Sequence, residues 1–377
     1  MLSVLSGWTS WVLRKTPFSF LLRVNKRYLP SGTAEDVNFS QTFILLYWLM
    51  KQLLYLFALL VAELSARAQT PASLIPAHDP VMMQHDGTYY MFCTGPGIAV
   101  WSSPDRKRWK PEKPVFDKAP TWATQAVPGF RRNHIWAPDI SQHNGVYYLF
   151  YSISAFGKNT SCIGLATNKT LNPNAANYKW EDQGRVLQSV PGRDMWNAID
   201  PNLVRDEAGT PWLTFGSFWE GIKLVKLRPD LTAPAQPEQW RTLARRARNP
   251  QLNDSLPGDG AIEAPFIFQK GDYYYLFTSF DYCCRGPQST YKIVVGRAKA
   301  VTGPYLDRAG VALDQGGGTL VLAGDQNWFG LGHNAVCTFD KVDYLVFHGY
   351  DAADKGRSKL RIEPLGWDAA GWPIVKP

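Results

Sequence analysis

Cysteine is scarce in this sequence and spaced for neither metal nor redox work. The 377 residues include five: Cys93, Cys162, Cys283, Cys284 and Cys337. None forms a CxxC pair or a Cys/His zinc spacing, so zinc-finger and thioredoxin-like readings are excluded. Cys283 and Cys284 are neighbours, a separation that rarely permits an ordinary disulfide. Cys93 lies in a strand pattern and reads as a small buried hydrophobe. Long heptads and low-complexity tracts are also absent, which removes coiled coils and fibrous arrays. No basic run stands out, so a formal net charge of +8 says little for nucleic acid.

Part of that charge lies in an N-terminal segment of separate character. Residues 42–62 are apolar apart from Thr42, Lys51 and Gln52, long enough as one span to cross a membrane. Read from Met50, the same stretch has a basic Lys51, an apolar run Leu53–Ala62, and small residues Ala66 and Ala68. That is the layout of a secretory signal peptide. The expectation is a start at Met50, residues 1–49 as a mis-called extension, residues 50–68 as a signal peptide cleaved after Ala68, and a domain over 69–377. Residues 1–68 hold seven Lys/Arg and three Asp/Glu, leaving 33 of 40 basic and 29 of 32 acidic residues, a net of +4. An exported, monomeric protein, periplasmic, surface-held or released, is expected.

What the chain has in abundance is aromatic side chains and turns. It holds 15 Trp, 17 Tyr, 19 Phe, 27 Pro and 31 Gly. One strand pattern, TYYMFCT (88–94), has four relatives: VYYLFYS (146–152), PWLTFGS (211–217), YYYLFTS (273–279) and DYLVFHG (343–349). Their starts are 58, 65, 62 and 70 residues apart. Turn residues precede each and a further strand candidate follows each. A period near 60 with about four strands per unit is that of a propeller blade, so the sequence predicts an all-β, five-bladed β-propeller. A β-sandwich with coincidental aromatics is the alternative.

Upstream of each repeat lies a second recurring segment: HDPV (78–81), WAPDI (136–140), IDPNL (199–203), IEAPF (262–266) and GHNAV (332–336). If these begin the innermost strands, the pseudo-rotation axis brings Asp79, Asp200, Glu263 and His333 together, with Trp136 or Asp139 from the second unit. Asp before Pro is commonly a turn residue, but Glu263 inside an apolar strand is seldom buried without purpose. Convergent carboxylates raise one another's pKa. Such a group suits glycoside hydrolysis with inversion, one carboxyl donating a proton and another activating water. Trp136, Trp196 and Phe218 beside these segments are candidate sugar-stacking residues. Asn197 and Ser217 are candidate hydroxyl contacts.

The series HDP, WAPD, AIDPN, IEAPF, SFDYCCRG and GHNAV resembles the motifs of family 43 glycoside hydrolases, within it the endo-1,5-α-L-arabinanase branch. The resemblance runs from about Ile75 to Pro377; SFWEGI (217–222) and DYCCRG (281–286) are its branch-specific parts. It implies endo-acting, inverting hydrolysis of α-1,5-linked arabinofuranose in arabinan. By motif, Asp79 would be the general base, Glu263 the general acid, and Asp200 the residue that tunes and orients the acid. His333 would hold a calcium ion whose other ligands are water, since calcium prefers oxygen. Cys283 and Cys284 are expected to be structural or at the rim, because inversion needs no nucleophile. One departure is Glu220-Gly221 in place of Gly-Gly, a carboxylate expected to affect a distal subsite. The alternatives are an exo-arabinanase, an arabinofuranosidase or a β-xylosidase on the same fold, or a non-catalytic carbohydrate-binding propeller; the joint presence of three carboxylates argues against the last.

Overall fold

Five antiparallel sheets form, one from each sequence repeat. The computed structural model describes residues 46–57, 70–71 and 74–375. Blade 1 is built from Val81–His85, Thr88–Cys93, Ala99–Ser103 and Arg108–Pro111, with Thr70–Pro71 on its outer edge. Blade 2 is His134–His143, Val146–Ile153, Ser161–Asn168 and Glu181–Ser189, with Gly95–Pro96 on its inner edge. Blade 3 is Asn202–Arg205, Pro211–Phe215, Ile222–Lys226 and Trp240–Ala244. Blade 4 is Ile262–Lys270, Tyr273–Phe280, Lys292–Ala298 and Thr319–Ala323; blade 5 is Trp328–Phe339, Val342–Asp351, Arg357–Trp367 and Pro373–Val375. The repeated aromatic pattern is the second strand of every blade. It reads as continuously apolar because both of its faces are covered by neighbouring blades.

The apolar interior is divided into five wedges, one between each pair of blades. Tyr90, Phe92, Leu149 and Tyr151 fill the first, and Phe150, Leu165, Leu213 and Phe215 the second. Leu224, Ile267 and Leu276 lie in the third, and Phe277, Val295, Leu345 and Phe347 in the fourth. Met82, Tyr89, Phe339 and Val346 close the ring between blade 5 and blade 1. At that closure the Leu360 N–H donates to the Ile75 carbonyl at 3.0 Å.

Polar bridges cross the same wedges. Asp139 is buried and accepts from Asn202 Nδ2 at 3.1 Å and Leu203 N at 2.9 Å. Asn202 Oδ1 in turn accepts from Ile267 N at 2.9 Å, so one amide links blades 2, 3 and 4. Asn202→Ala should cost about 1–3 kcal/mol, because Asp139 and the Ile267 N–H lose partners where water cannot replace them. A thermal melt checks this, and an unchanged Tm would remove Asn202 from the account.

The segment before the propeller falls in a separate unit, Met1–Ala66. Residues 46–57 are helical with exposed apolar side chains. No helix among the described residues is long and apolar enough to cross a membrane. Most of residues 1–49, and the expected cleavage site after Ala68, lie outside the described residues.

Candidate active site

Five residues begin the innermost strands with left-handed backbone: Asp79 (φ 53°), Ala137 (42°), Asp200 (57°), Ala264 (55°) and His333 (52°). Four of them precede Pro. A non-glycine residue in this region costs about 1–3 kcal/mol and persists only where its surroundings enforce it. The enforcement comes from the end of a second strand in the preceding blade. Ala137 N donates to Thr94 Oγ1 at 2.8 Å, Asp200 N to Ser152 Oγ at 3.1 Å, and His333 N to Ser279 Oγ at 2.8 Å. Asp79 N donates to His348 Nδ1 at 3.1 Å, which closes the ring.

Blade 4 breaks this rule. Ala264 N donates to Asp200 Oδ2 at 3.0 Å instead of to the matching Ser217. Ser217 Oγ is thereby released to donate to Glu263 Oε2 at 2.8 Å. The buried Tyr291 hydroxyl donates to Glu263 Oε1 at 2.7 Å. Glu263 is therefore not the positional equivalent of Asp79 and Asp200; it stands one residue earlier, level with Trp136 in blade 2.

Asp79 Oδ1 is shared by His78 Nδ1 at 2.8 Å and His333 Nδ1 at 2.9 Å, while Oδ2 accepts from Thr94 Oγ1. Burial alone would raise this carboxyl, but His333 and His78 outweigh it and hold it well below the usual carboxylate range. Asp200 goes the other way. Burial pushes it up to about 8, with His333 opposing and the charges of Glu263 and Asp79 adding. Burial opposes a proton on His333, yet Asp79 and Asp200 lift it to about 9. The site thus holds one carboxylate fixed as an anion beside another that retains a proton.

These groups line a cavity of about 780 Å³. Asp79, Asp200, Glu263, His333, Trp136, Asn197, Ser217 and Phe218 all contribute to its wall. Asn197 Oδ1 is buried without a protein partner, an acceptor left unused beside the cavity. Trp196 does not line it. Its ring packs 5.4 Å from Phe215 and 5.4 Å from Trp240 in the wedge between blades 2 and 3, so its place is in the core. Asp139 is the inter-blade bridge described above. Glu220 is exposed, lies 3.9 Å from Lys223, and is outside the cavity wall.

Several wall residues had no signal as single positions. Phe156, 80% exposed, stands on a loop at the wall, and Tyr282 and Arg285 stack there with 3.8 Å between guanidinium and ring centroid. Thr94 was legible: the last position of the repeated strand is Thr or Ser in four of five copies. Cys283 and Cys284, also in the wall, are joined by a disulfide, contrary to the expectation from their adjacency. Successive side chains of extended backbone diverge, but Cys284 has a φ of 65°, which takes the chain out of that conformation. Cys93 is free and buried, as expected.

The donor set offers little to a cation. His333 commits Nδ1 to Asp79, leaving one imidazole nitrogen. Among the described residues, the close groupings of ligand-type side chains are His78–Cys283–Cys284, whose sulfurs are taken up in the disulfide, and His78–Asp79–His348, and neither includes His333. Calcium takes six to eight oxygen ligands, so at His333 the protein could supply one nitrogen and water the rest.

Residues 69–373 match the model of the Glycosyl hydrolases family 43. The chain is 53% identical over 318 residues to an extracellular exo-α-(1→5)-L-arabinofuranosidase of Cellvibrio japonicus, covering 84% of this chain and 90% of the relative. It is 42% identical over 300 residues to an extracellular endo-α-(1→5)-L-arabinanase of Bacillus subtilis, covering 78% and 86%. Among solved structures, the Cellvibrio cellulosa α-L-arabinanase complexed with arabinohexaose superposes with a TM-score of 0.79 at 54% identity, covering 80% of this chain and 96% of that one. With the propeller and its axial carboxylates in place, the chain belongs to glycosyl hydrolase family 43.

Proposed function

We propose that this enzyme hydrolyses the α-1,5 linkages of arabinan with inversion, cutting within the chain. The observation that carries the chemistry is the opposed state of two carboxyls in one cavity: Asp79 held ionised by His78 and His333, and Asp200 raised to about 8 beside Glu263. Asp79 is the general base that takes a proton from water. Glu263 is the general acid, held at Oε2 by Ser217 and at Oε1 by Tyr291, and delivers a proton to the leaving oxygen. Asp200 positions the acid's strand through the Ala264 N–H and keeps that side of the cavity protonated. Trp136 and Phe218 supply faces for furanose rings, and Asn197 a hydroxyl contact. The relatives named extracellular, together with the signal-peptide layout of residues 50–68, support export.

Substrate and mode rest on the arabinan-active relatives and on a cavity at the large end of the roughly 300–1,000 Å³ range for ligand sites. The exo mode is the second reading, favoured by the 53% relative with that activity in its name. Debranched linear arabinan separates them. A fast fall in viscosity with a ladder of short oligosaccharides supports the endo reading. Release of arabinose or one fixed oligomer moves the enzyme to exo action, and no product at all overturns the substrate.

Calcium at His333 belongs to the same proposal: the ion would replace the second imidazole proton that Asp79 and Asp200 otherwise retain there, with water completing the shell. Chelation, or His333→Ala, should lower activity or Tm; a chelated enzyme with both unchanged would argue against the ion.

A further inference from the structure

The base sits at one end of a closed hydrogen-bond circuit that reaches the cavity mouth. The Asp79 N–H can only donate, so His348 Nδ1, 3.1 Å away, must accept, and the His348 proton is on Nε2. That Nε2 lies 3.3 Å from the Tyr350 hydroxyl and donates to it. At the other end, the ionised Asp79 Oδ1 can only accept from His78 Nδ1 at 2.8 Å, so the His78 proton is on Nδ1. His78 Nε2 is left as the acceptor for the Tyr350 O–H at 3.1 Å. The second lone pair of Tyr350 accepts from the Cys284 N–H at 2.7 Å. Every donor and acceptor of Tyr350 is used. The two imidazoles it joins are stacked with centroids 4.0 Å apart, and His348 is fully buried. Tyr350 is 3% exposed and does not line the cavity, whereas Tyr282, Cys283, Cys284 and Arg285 do.

We propose that Tyr350 is a positioning residue for Asp79, and that the disulfide-closed turn Cys283–Cys284 acts on the base through it. This rests on Asp79 being the base. The hydroxyl fits the tautomers that Asp79 imposes: it accepts from His348 Nε2 and donates to His78 Nε2, and so holds both rings in the orientation in which they meet Asp79. The disulfide holds the Cys284 N–H on that hydroxyl. The mouth of the cleft and the base are then one mechanical unit, although Cys284 and Tyr350 are 66 residues apart in sequence. The disulfide has two separable duties, one as cavity wall against the substrate and one as anchor for Tyr350.

The test is a cycle of Tyr350→Phe, the pair Cys283→Ser/Cys284→Ser, and all three together, with kcat and KM measured on linear arabinan. Tyr350→Phe keeps the ring and removes the hydroxyl. Outer-shell partners that orient metal-ligating side chains typically cost about 10–100-fold when removed; by the same logic kcat should fall by that order here, with KM unchanged. The serine pair should lower kcat and raise KM, because it also alters the wall. In the triple variant kcat should be no lower than in Tyr350→Phe alone, since groups acting as one unit are non-additive. A normal kcat in Tyr350→Phe, or fully additive losses, would overturn the proposal. Imidazole ¹⁵N spectra give a readout independent of turnover: His78 should carry its proton on Nδ1 and His348 on Nε2, and the opposite tautomers would overturn the circuit. An active Asp79→Asn enzyme would remove the base reading and the positioning role with it. An inactive Asp79→Asn beside a normal Tyr350→Phe would remove the positioning role alone.

Discussion

Glu263→Gln and Asp79→Asn should each lower kcat on linear arabinan by about 10²–10⁴-fold or more, the usual worth of a positioned acid or base. The two losses arise differently. Glu263→Gln keeps an oxygen for Ser217 or Tyr291 but removes the transferable proton, so Tm should stay near that of the parent. Asp79→Asn removes a charge that faces His78 and His333 at 2.8 and 2.9 Å, so Tm should fall as well as kcat. A near-normal kcat in either variant would mean that its role is misassigned. The same site predicts a pH limb. Burial raises Asp200 to about 8, so its proton is present below that pH and lost above it. As pH rises through about 8, Asp200 joins Asp79 as a second anion, the protonated side of the cavity is lost, and kcat should decline. A kcat flat to pH 10 would contradict this.

Gly332→Ala should damage stability and turnover together through a single methyl. A Cβ there would stand 2.1 Å from Tyr291 Cδ1 and 2.4 Å from Cε1, and the Tyr291 ring is buried. The ring is 1% exposed, and overpacking in a buried site costs about 1–3 kcal/mol. Each kcal/mol is worth about 2–4 °C in Tm for domains of roughly 150–250 residues and less for a larger one such as this. Activity should fall further than stability accounts for, because the same ring carries the hydroxyl that holds Glu263 Oε1 at 2.7 Å. Tyr291→Phe separates the parts: kcat falls while the packing loss is absent. A Gly332→Ala enzyme with parental Tm and kcat would show that the ring is free to move.

The propeller was legible because each second strand is covered on both faces and so repeats as an aromatic run. The carboxylates were legible because each motif recurs at a fixed place ahead of that run. What the pattern hides is backbone conformation. Glu263 and Asp79 look like equivalents by spacing, and the left-handed Ala264 shows that Glu263 stands one residue earlier on its strand than Asp79 does on its own. Trp196 sits beside a motif, yet proximity in sequence does not say which side of the chain faces the axis; its ring turned to Phe215 and Trp240. The cysteine pair was misjudged for a related reason, since the rule against adjacent disulfides presumes extended chain. Contacts such as His78 to Tyr350, 272 residues apart, carry no local signal at all.

Four of the five wedges join blades that the chain itself connects. The fifth, between blade 5 and blade 1, is held only by contacts such as Leu360 to Ile75, and the polypeptide does not cross it. Separation there is limited by no short connecting loop, so this seam gains the most freedom on opening. It is also the seam that Asp79 straddles, bonded to His333 and His348 of the last blade. On heating, turnover should therefore fail before circular dichroism records loss of the sheets: the enzyme comes unclasped at the residue it most needs held still.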